Sequence, residues 1–136
     1  MRRRMHQTAT HAPVLVVSLG LSFIPATVLA HHSFSAEFSR DLPIEVTGTV
    51  VNVEWTNPHA RFYIEAKDEN GETVTWNFEL MTPNILMRQG WTANSLKLGD
   101  TVTVNGWRAR NDPHVAAAGS VTLPDGTRLF SGTASN

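Results

Sequence analysis

The stretch HHSFSAEF, residues 31–38, stands directly behind a hydrophobic run, and a further histidine closes the stretch WTNPH, residues 55–59. If the chain is cut before His31, that residue carries a free α-amino group beside its imidazole. The unperturbed pKa values of these groups are about 7.7–8.0 and about 6.5, so both nitrogens can be deprotonated on metal binding near neutral pH. One residue then supplies two nitrogens in a single chelate ring. A second imidazole opposite it completes a three-nitrogen arrangement, a histidine brace, suited to tetragonal Cu(II). His59 is the candidate for that position, because Pro58 restricts the backbone before it. His32 is the alternative ligand, through its ring or through a chelate with the terminal amine, and Glu37 or Glu79 could add an oxygen. Ser33 at the third position of the cut chain excludes the common amino-terminal copper motif, which needs histidine there. The expected metal ligands are therefore His31, His32 and His59, and the expected ion is copper, although zinc accepts the same side chains. The plainer alternative is that the terminal histidines are solvated and that His59 bonds its own loop.

Other chemistries find less in the sequence. Ser33 and Ser35 lie near histidines, but no G-x-S-x-G elbow or ordered third partner accompanies them. Without cysteine there is no thiol nucleophile, disulfide, lipid-anchored terminus or thiolate metal site. Glu65 and Glu79 could face each other across strands, which is more simply a solvated sheet face. No catalytic motif is present, and the chain is expected not to be an enzyme. Trp55, Trp76, Trp91 and Trp107 could form an aromatic cleft for a ligand. Most such residues fill the core of a small domain, and Trp91, just past Gly90, is the one expected to be exposed. The competing class of function is thus a metal-free module that binds a small ligand or another envelope protein.

The beginning of the chain sets the compartment. Arg2, Arg3 and Arg4 precede an apolar run from Val14 to Ile24, and Pro25-Ala-Thr-Val-Leu-Ala30 follows. This is a charged region, a hydrophobic region and a small-residue cleavage site, the pattern of a secretory signal peptide over residues 1–30. A membrane span needs about 20 apolar residues, and Pro25 interrupts the run too early. A mitochondrial transit peptide would be amphipathic, whereas this run is apolar on every face. Cleavage after Ala30 leaves 106 of the 136 residues, beginning at His31, in a periplasmic or secreted protein with no membrane span. Losing the three leader arginines from eleven basic residues leaves eight against twelve acidic ones, a formal charge of −4. That balance opposes nucleic-acid binding, which rests on neutralised phosphates.

The remaining sequence describes strands. Residues 31–43 show no period and read as an N-terminal arm ahead of a barrel domain over 44–132. Strands are expected at Glu45–Trp55, with Gly48 marking a bulge or bend, at Arg61–Lys67 and at Glu72–Leu80. The second and third are joined by a turn at Asp68–Gly71, where Asn-Gly supplies positive φ angles. Val74, Trp76, Phe78 and Leu80 share one face of the third strand, and Thr73, Thr75, Asn77 and Glu79 the other. Thr82 then caps a short helix with Pro83 at its first position, continuing over Asn84–Gln89 and closed by Gly90. Thr101–Trp107 is a fourth strand and Arg108–Ala118 a loop. A last hairpin joins Ser120–Leu123 to Thr127–Phe130 through Pro124-Asp-Gly126. Five or six antiparallel strands with one short helix between the third and fourth make an all-β fold, a small oligonucleotide-binding-like (OB-like) barrel.

Taken together, HHSFSAEF, GTVVNVEWTNPHARFYIE, WNFEL, RQGWTANSLKLGDTVTVNGWRARN and VTLPDGTRLF resemble the bacterial exported family DUF6152. The resemblance runs from His31 to about Gly132. It implies a small secreted β protein and carries no activity with it. In one place the chain departs from the family, since Asn111-Asp-Pro-His114 replaces a glycine-containing turn, and no role passes to His114.

Overall fold

Three consecutive segments alternate apolar and polar residues, and pairing them edge to edge gathers most of their apolar side chains on one surface. The computed structural model describes residues 34–132. In it, β1 (Phe38–Glu54), β2 (Arg61–Lys67) and β3 (Thr73–Glu79) form an antiparallel meander. Phe62 lies opposite Phe78 in register, and their rings stack at 5.2 Å. After β3 come a short helix, β4 (Thr101–Ala109), β5 (Val115–Thr122) and β6 (Arg128–Phe130). β4 pairs with β1, β5 with β4, and β5 returns to pair in parallel with β3. The ring β1-β2-β3-β5-β4 is thereby closed, with β6 added outside it along β5. This is the expected OB-like barrel.

The strand β1 belongs to both halves of the ring. Its residues Pro43–Thr49 pair with β4 and Thr49–Glu54 with β2, so the strand changes partner at Gly48–Thr49. A Cβ on Gly48 would lie 2.4 Å from the carbonyl oxygen of Glu65, so only glycine allows β2 this close. The bulge itself falls at Val51, between Val50 and Asn52. It turns Val50 inward, 1% exposed, and leaves Val51 in solvent.

The helix between β3 and β4 is the second of two among the described residues. The first, α1 (Phe34–Glu37), opens the described chain; the other, α2 (Pro83–Arg88), has Thr82 as its N-cap, accepting from Ile85 N–H, and Pro83 in its first turn. Gly90, at φ +91°, reverses the chain after α2. Trp91 N–H then bonds the Leu86 carbonyl at 3.0 Å. Leu86 and Trp91 enter the core with Val50, Ile64, Val102 and Val121. Trp91 is thus 2% exposed, against the expectation that it faces solvent. Its indole N–H donates to the Phe130 carbonyl at 2.9 Å, which removes the cost of burying that group.

Two further boundaries differ from expectation. β1 begins at Phe38, well before Glu45, so the described part of the expected arm packs on the barrel as α1 and the first residues of a strand. Phe38 sits opposite Ala109 and joins Ala117, with Phe34 and Val115 packed against them. The expected loop over Arg108–Ala118 is also shorter, because β4 runs to Ala109 and β5 starts at Val115. Its alanines are strand residues that lie under the aromatic rings of the N-terminal segment on one face and in the core on the other. In the turn at Asp68–Gly71, Gly71 takes positive φ and Asn70 does not. The Asp68 carboxylate caps that turn, accepting from Asn70 and Glu72 N–H at 2.9 Å each. No helix among the described residues is long and apolar enough to cross a membrane.

Gly48→Ala is expected to destabilise the fold by about 1–3 kcal/mol through forced separation of β1 and β2. Val51→Ala, on the exposed side of the bulge, is expected to stay within about 0.5 kcal/mol of the parent. Urea denaturation of both variants checks the difference.

Candidate functional site

Of the three histidines expected to bind metal, His31 and His32 lie outside the described residues. His59 lies in the short connection between β1 and β2, after a cis Asn57–Pro58 bond. Its neighbours come from the outward faces of β2 and β3. Antiparallel register sets Arg61 opposite Glu79 and Tyr63 opposite Asn77. Because side chains alternate along a strand, Arg61, Asn77 and Glu79 leave the barrel on the same side.

Glu79 sits between two partners. One carboxylate oxygen accepts from Arg61 Nη2, and the other meets Nδ1 of His59. Arg61 Nη1 also donates to Asn77 Oδ1 at 3.3 Å. The Glu79 side chain is 11% exposed, while those of Arg61 and His59 are 30% and 44% exposed. A carboxylate only accepts hydrogen bonds, so Nδ1 of His59 must donate. The chain Asn77–Arg61–Glu79–His59 therefore fixes the ring and leaves the Nε2 lone pair directed away from Glu79. A carboxylate behind the far ring nitrogen is the usual support of a metal-binding histidine. Tyr63, beside Arg61 on the same face, has its phenol pKa raised by burial and then by the charge of Glu54. It stays a neutral hydroxyl at neutral pH and does not offer a phenolate.

The outward face continues from this cluster toward the N-terminal segment. Glu79 is registered with Ala117 of β5, and Ala117 with Trp107 of β4. Trp107 meets the Phe34 ring edge-on at 5.9 Å. Adjacent strands lie about 4.8 Å apart, so α1 is anchored two strands from Glu79. Arg110 holds it there, donating from its backbone N–H to the Glu37 carbonyl at 2.9 Å and from Nε to the Ser35 carbonyl at 3.1 Å.

Other residues singled out in the sequence do not join His59. Glu65 lies opposite Thr75 and Glu79 opposite Arg61, so the two carboxylates do not face each other. His114 packs edge-on against Trp76 at 5.4 Å, on the opposite side of β3 from Glu79. Its backbone completes the ring closure, the carbonyl accepting from Asn77 N–H at 2.9 Å. Trp76 and His114 line an open cavity of ≈ 520 Å³ with Lys67, Asp68 and Arg108. Among the described residues no group of three or more histidine, aspartate or glutamate side chains could hold a metal ion. Sequence reasoning singled out His59 and offered Glu37 or Glu79 as an oxygen donor to a metal, whereas the Glu79 oxygens are engaged by His59 and Arg61. It missed Arg61, which only the β2–β3 register brings to Glu79.

Residues 20–117 match the model of a family described as a family of unknown function, DUF6152. No curated protein matches the sequence. Among solved structures, the chain is similar to the mitochondrial single-stranded DNA-binding protein Rim1 of S. cerevisiae, at 12% identity and a TM-score of 0.45. That likeness covers 64% of this chain and 94% of the other.

The neutral ring of His59 is expected to carry its proton on Nδ1, as read from nitrogen chemical shifts of the imidazole. Glu79→Ala is expected to abolish that preference and to cost about 1 kcal/mol of stability, because Arg61 and His59 are exposed enough to rehydrate.

Proposed function

The chain belongs to DUF6152, a family of unknown function, so its role has to be read from its own side chains, and we propose that it is an exported, non-catalytic barrel that binds one copper ion through His31, His32 and His59. The observation that carries this reading is the Glu79 carboxylate behind Nδ1 of His59, itself held by Arg61. A histidine that only bonded its own loop would need no such support from two other strands. The support leaves Nε2 as a ligand atom with a defined direction.

Chain length supplies the second support. His31 is three residue steps before Phe34, and an extended chain covers about 3.4 Å per step, hence about 10 Å. Phe34 is anchored on Trp107, and Glu79 stands two strands away, also about 10 Å across the sheet. The terminal amine and imidazole of a chain beginning at His31 are therefore within reach of His59. The same leader that exports the protein exposes that amine when it is removed after Ala30. Nucleic acid is not part of this reading. The outward face of β2 and β3 sets Glu65 and Glu79 against Arg61 and Lys67, which gives phosphates no net attraction.

Intact-mass measurement of the exported protein is expected to place its first residue at His31. Copper titration of that product is expected to show one tight site, with affinity falling as pH is lowered because the nitrogens must be free of protons. His59→Ala is expected to abolish tight binding and Glu79→Ala to weaken it about 10–100-fold. An extra residue ahead of His31 removes the terminal chelate; unchanged affinity in that variant overturns the proposal.

A further inference from the structure

On the other side of Trp107, between β4, β5 and β6, lies an open cavity of ≈ 460 Å³. Cavities of about 300–1,000 Å³ are the size that small-molecule ligands occupy. Part of its lining is bare backbone, from Gly106 and Gly119. A Cβ on Gly106 would lie 2.1 Å from the Ala117 carbonyl oxygen, and one on Gly119 would lie 2.9 Å from Trp107 Cζ3. The indole of Trp107 therefore rests on the Gly119 backbone, next to Ser120.

Ser120 is the point from which the polar part is built. It is 3% exposed, and its Oγ accepts from Arg128 Nε at 3.0 Å and from Arg128 Nη2 at 2.8 Å. The same guanidinium stands 5.3 Å from the centre of the Phe130 ring, and Phe130 is itself opposite Ser120 in register. Two contacts on different sides thus hold the guanidinium plane. Its Nη1 hydrogens and the second Nη2 hydrogen are not used by them. Among the described residues the ion pairs are those of Glu79 with His59 and Arg61, so Arg128 has no carboxylate partner. Phe130, at 57% exposure, leaves an aromatic face in solvent beside this cation. Asn105 lies opposite Ser120 on β4 and adds an amide to the lining.

A held guanidinium without a counter-ion, in a cavity lined also by an indole and a phenyl ring, is complementary to one class of ligand. We propose that this cavity binds a small aromatic carboxylate. The carboxylate takes the free N–H groups of Arg128, for which a planar fork is the matching geometry. The ring of the ligand packs between Trp107 and Phe130, where flat apolar surface is removed from water. A neutral sugar would leave the cation unpaired, and a phosphate ester would meet one arginine where it needs several. Copper has no part in this site, whose residues are shared with neither His59 nor Glu79.

Titrating the full protein with benzoate, and following indole N–H resonances by NMR, tests the assignment. The resonance that disappears in Trp107→Phe is expected to shift saturably with benzoate. Benzyl alcohol and acetate, which each keep half of the ligand, are expected to bind at least about tenfold more weakly. Arg128→Gln is expected to weaken benzoate at least about tenfold while the dispersed indole resonances show the fold retained, and Phe130→Ala to weaken it as well. Equal binding of benzyl alcohol, unchanged binding in Arg128→Gln, or no saturation with benzoate would each overturn the proposal.

Discussion

Where β1 passes from β4 to β2, its backbone comes so close to β2 that residue 48 has no room for a side chain. The carbonyl of Glu65 occupies that space, 2.4 Å from where a Cβ would be. The approach lies where one strand passes from pairing with β4 to pairing with β2. Closure requires β5 to run beside β3 in parallel, over Asn77–Glu79 and Val115–Ala117. A parallel neighbour cannot be reached by a tight hairpin. The route taken goes through α2 and β4, with Leu86 and Trp91 filling the core on the way. The antiparallel β2–β3 register and the parallel β3–β5 pairing then set which outward-facing residues become neighbours.

One such consequence is the place of Glu79. Its neighbours across the sheet are Arg61 on β2 and Ala117 on β5, one charged and one small. The small one lies beneath the N-terminal aromatic rings, and the charged one holds the carboxylate that holds His59. Ion pairs with partners this exposed contribute little to stability, about 0–1 kcal/mol. Their effect here is orientation. The apolar interior, with Phe62, Ile64, Phe78 and Val104 all at 0% exposure, shares no residue with this cluster.

The parts of the fold that could be read in advance are those where one physical cause acts alone. β3 alternates cleanly because one face meets the core and the other water. α2 begins at Thr82-Pro83 because a side-chain acceptor and a missing N–H both suit a helix start. The parts misread are those with two causes at once. Ala116, Ala117 and Ala118 show no alternation because both faces of β5 are covered, by the core on one side and by Phe34 and Phe38 on the other. The start of β1 is hidden for the same reason, its rings being buried against small residues distant in sequence. Trp91 looks exposed from its place after Gly90, and it is the carbonyl of Phe130, 39 residues away, that lets it enter the core. His59 was visible from the rigid turn around it. Arg61 was not, since its partner depends on a strand register that no local pattern states.

Trp107 joins the two regions of chemical interest. Phe34 meets its ring at 5.9 Å and the Arg40 guanidinium lies 5.7 Å from its centre, while the same ring lines the cavity beside Arg128. Removing the indole would loosen the N-terminal anchor and open the cavity together. An effect on either ligand in such a variant would not say which contact mattered. The side chains that separate the two regions are those at their far edges. His59 and Glu79 lie two strands from Trp107 along the outward face, and Arg128 lies across β5 on β6. Neither set shares a hydrogen bond with the other, so substitutions in the two sets should act additively on stability, as independent sites do. Departure from additivity would mean that the indole transmits a shift from the anchor of α1 to the cavity.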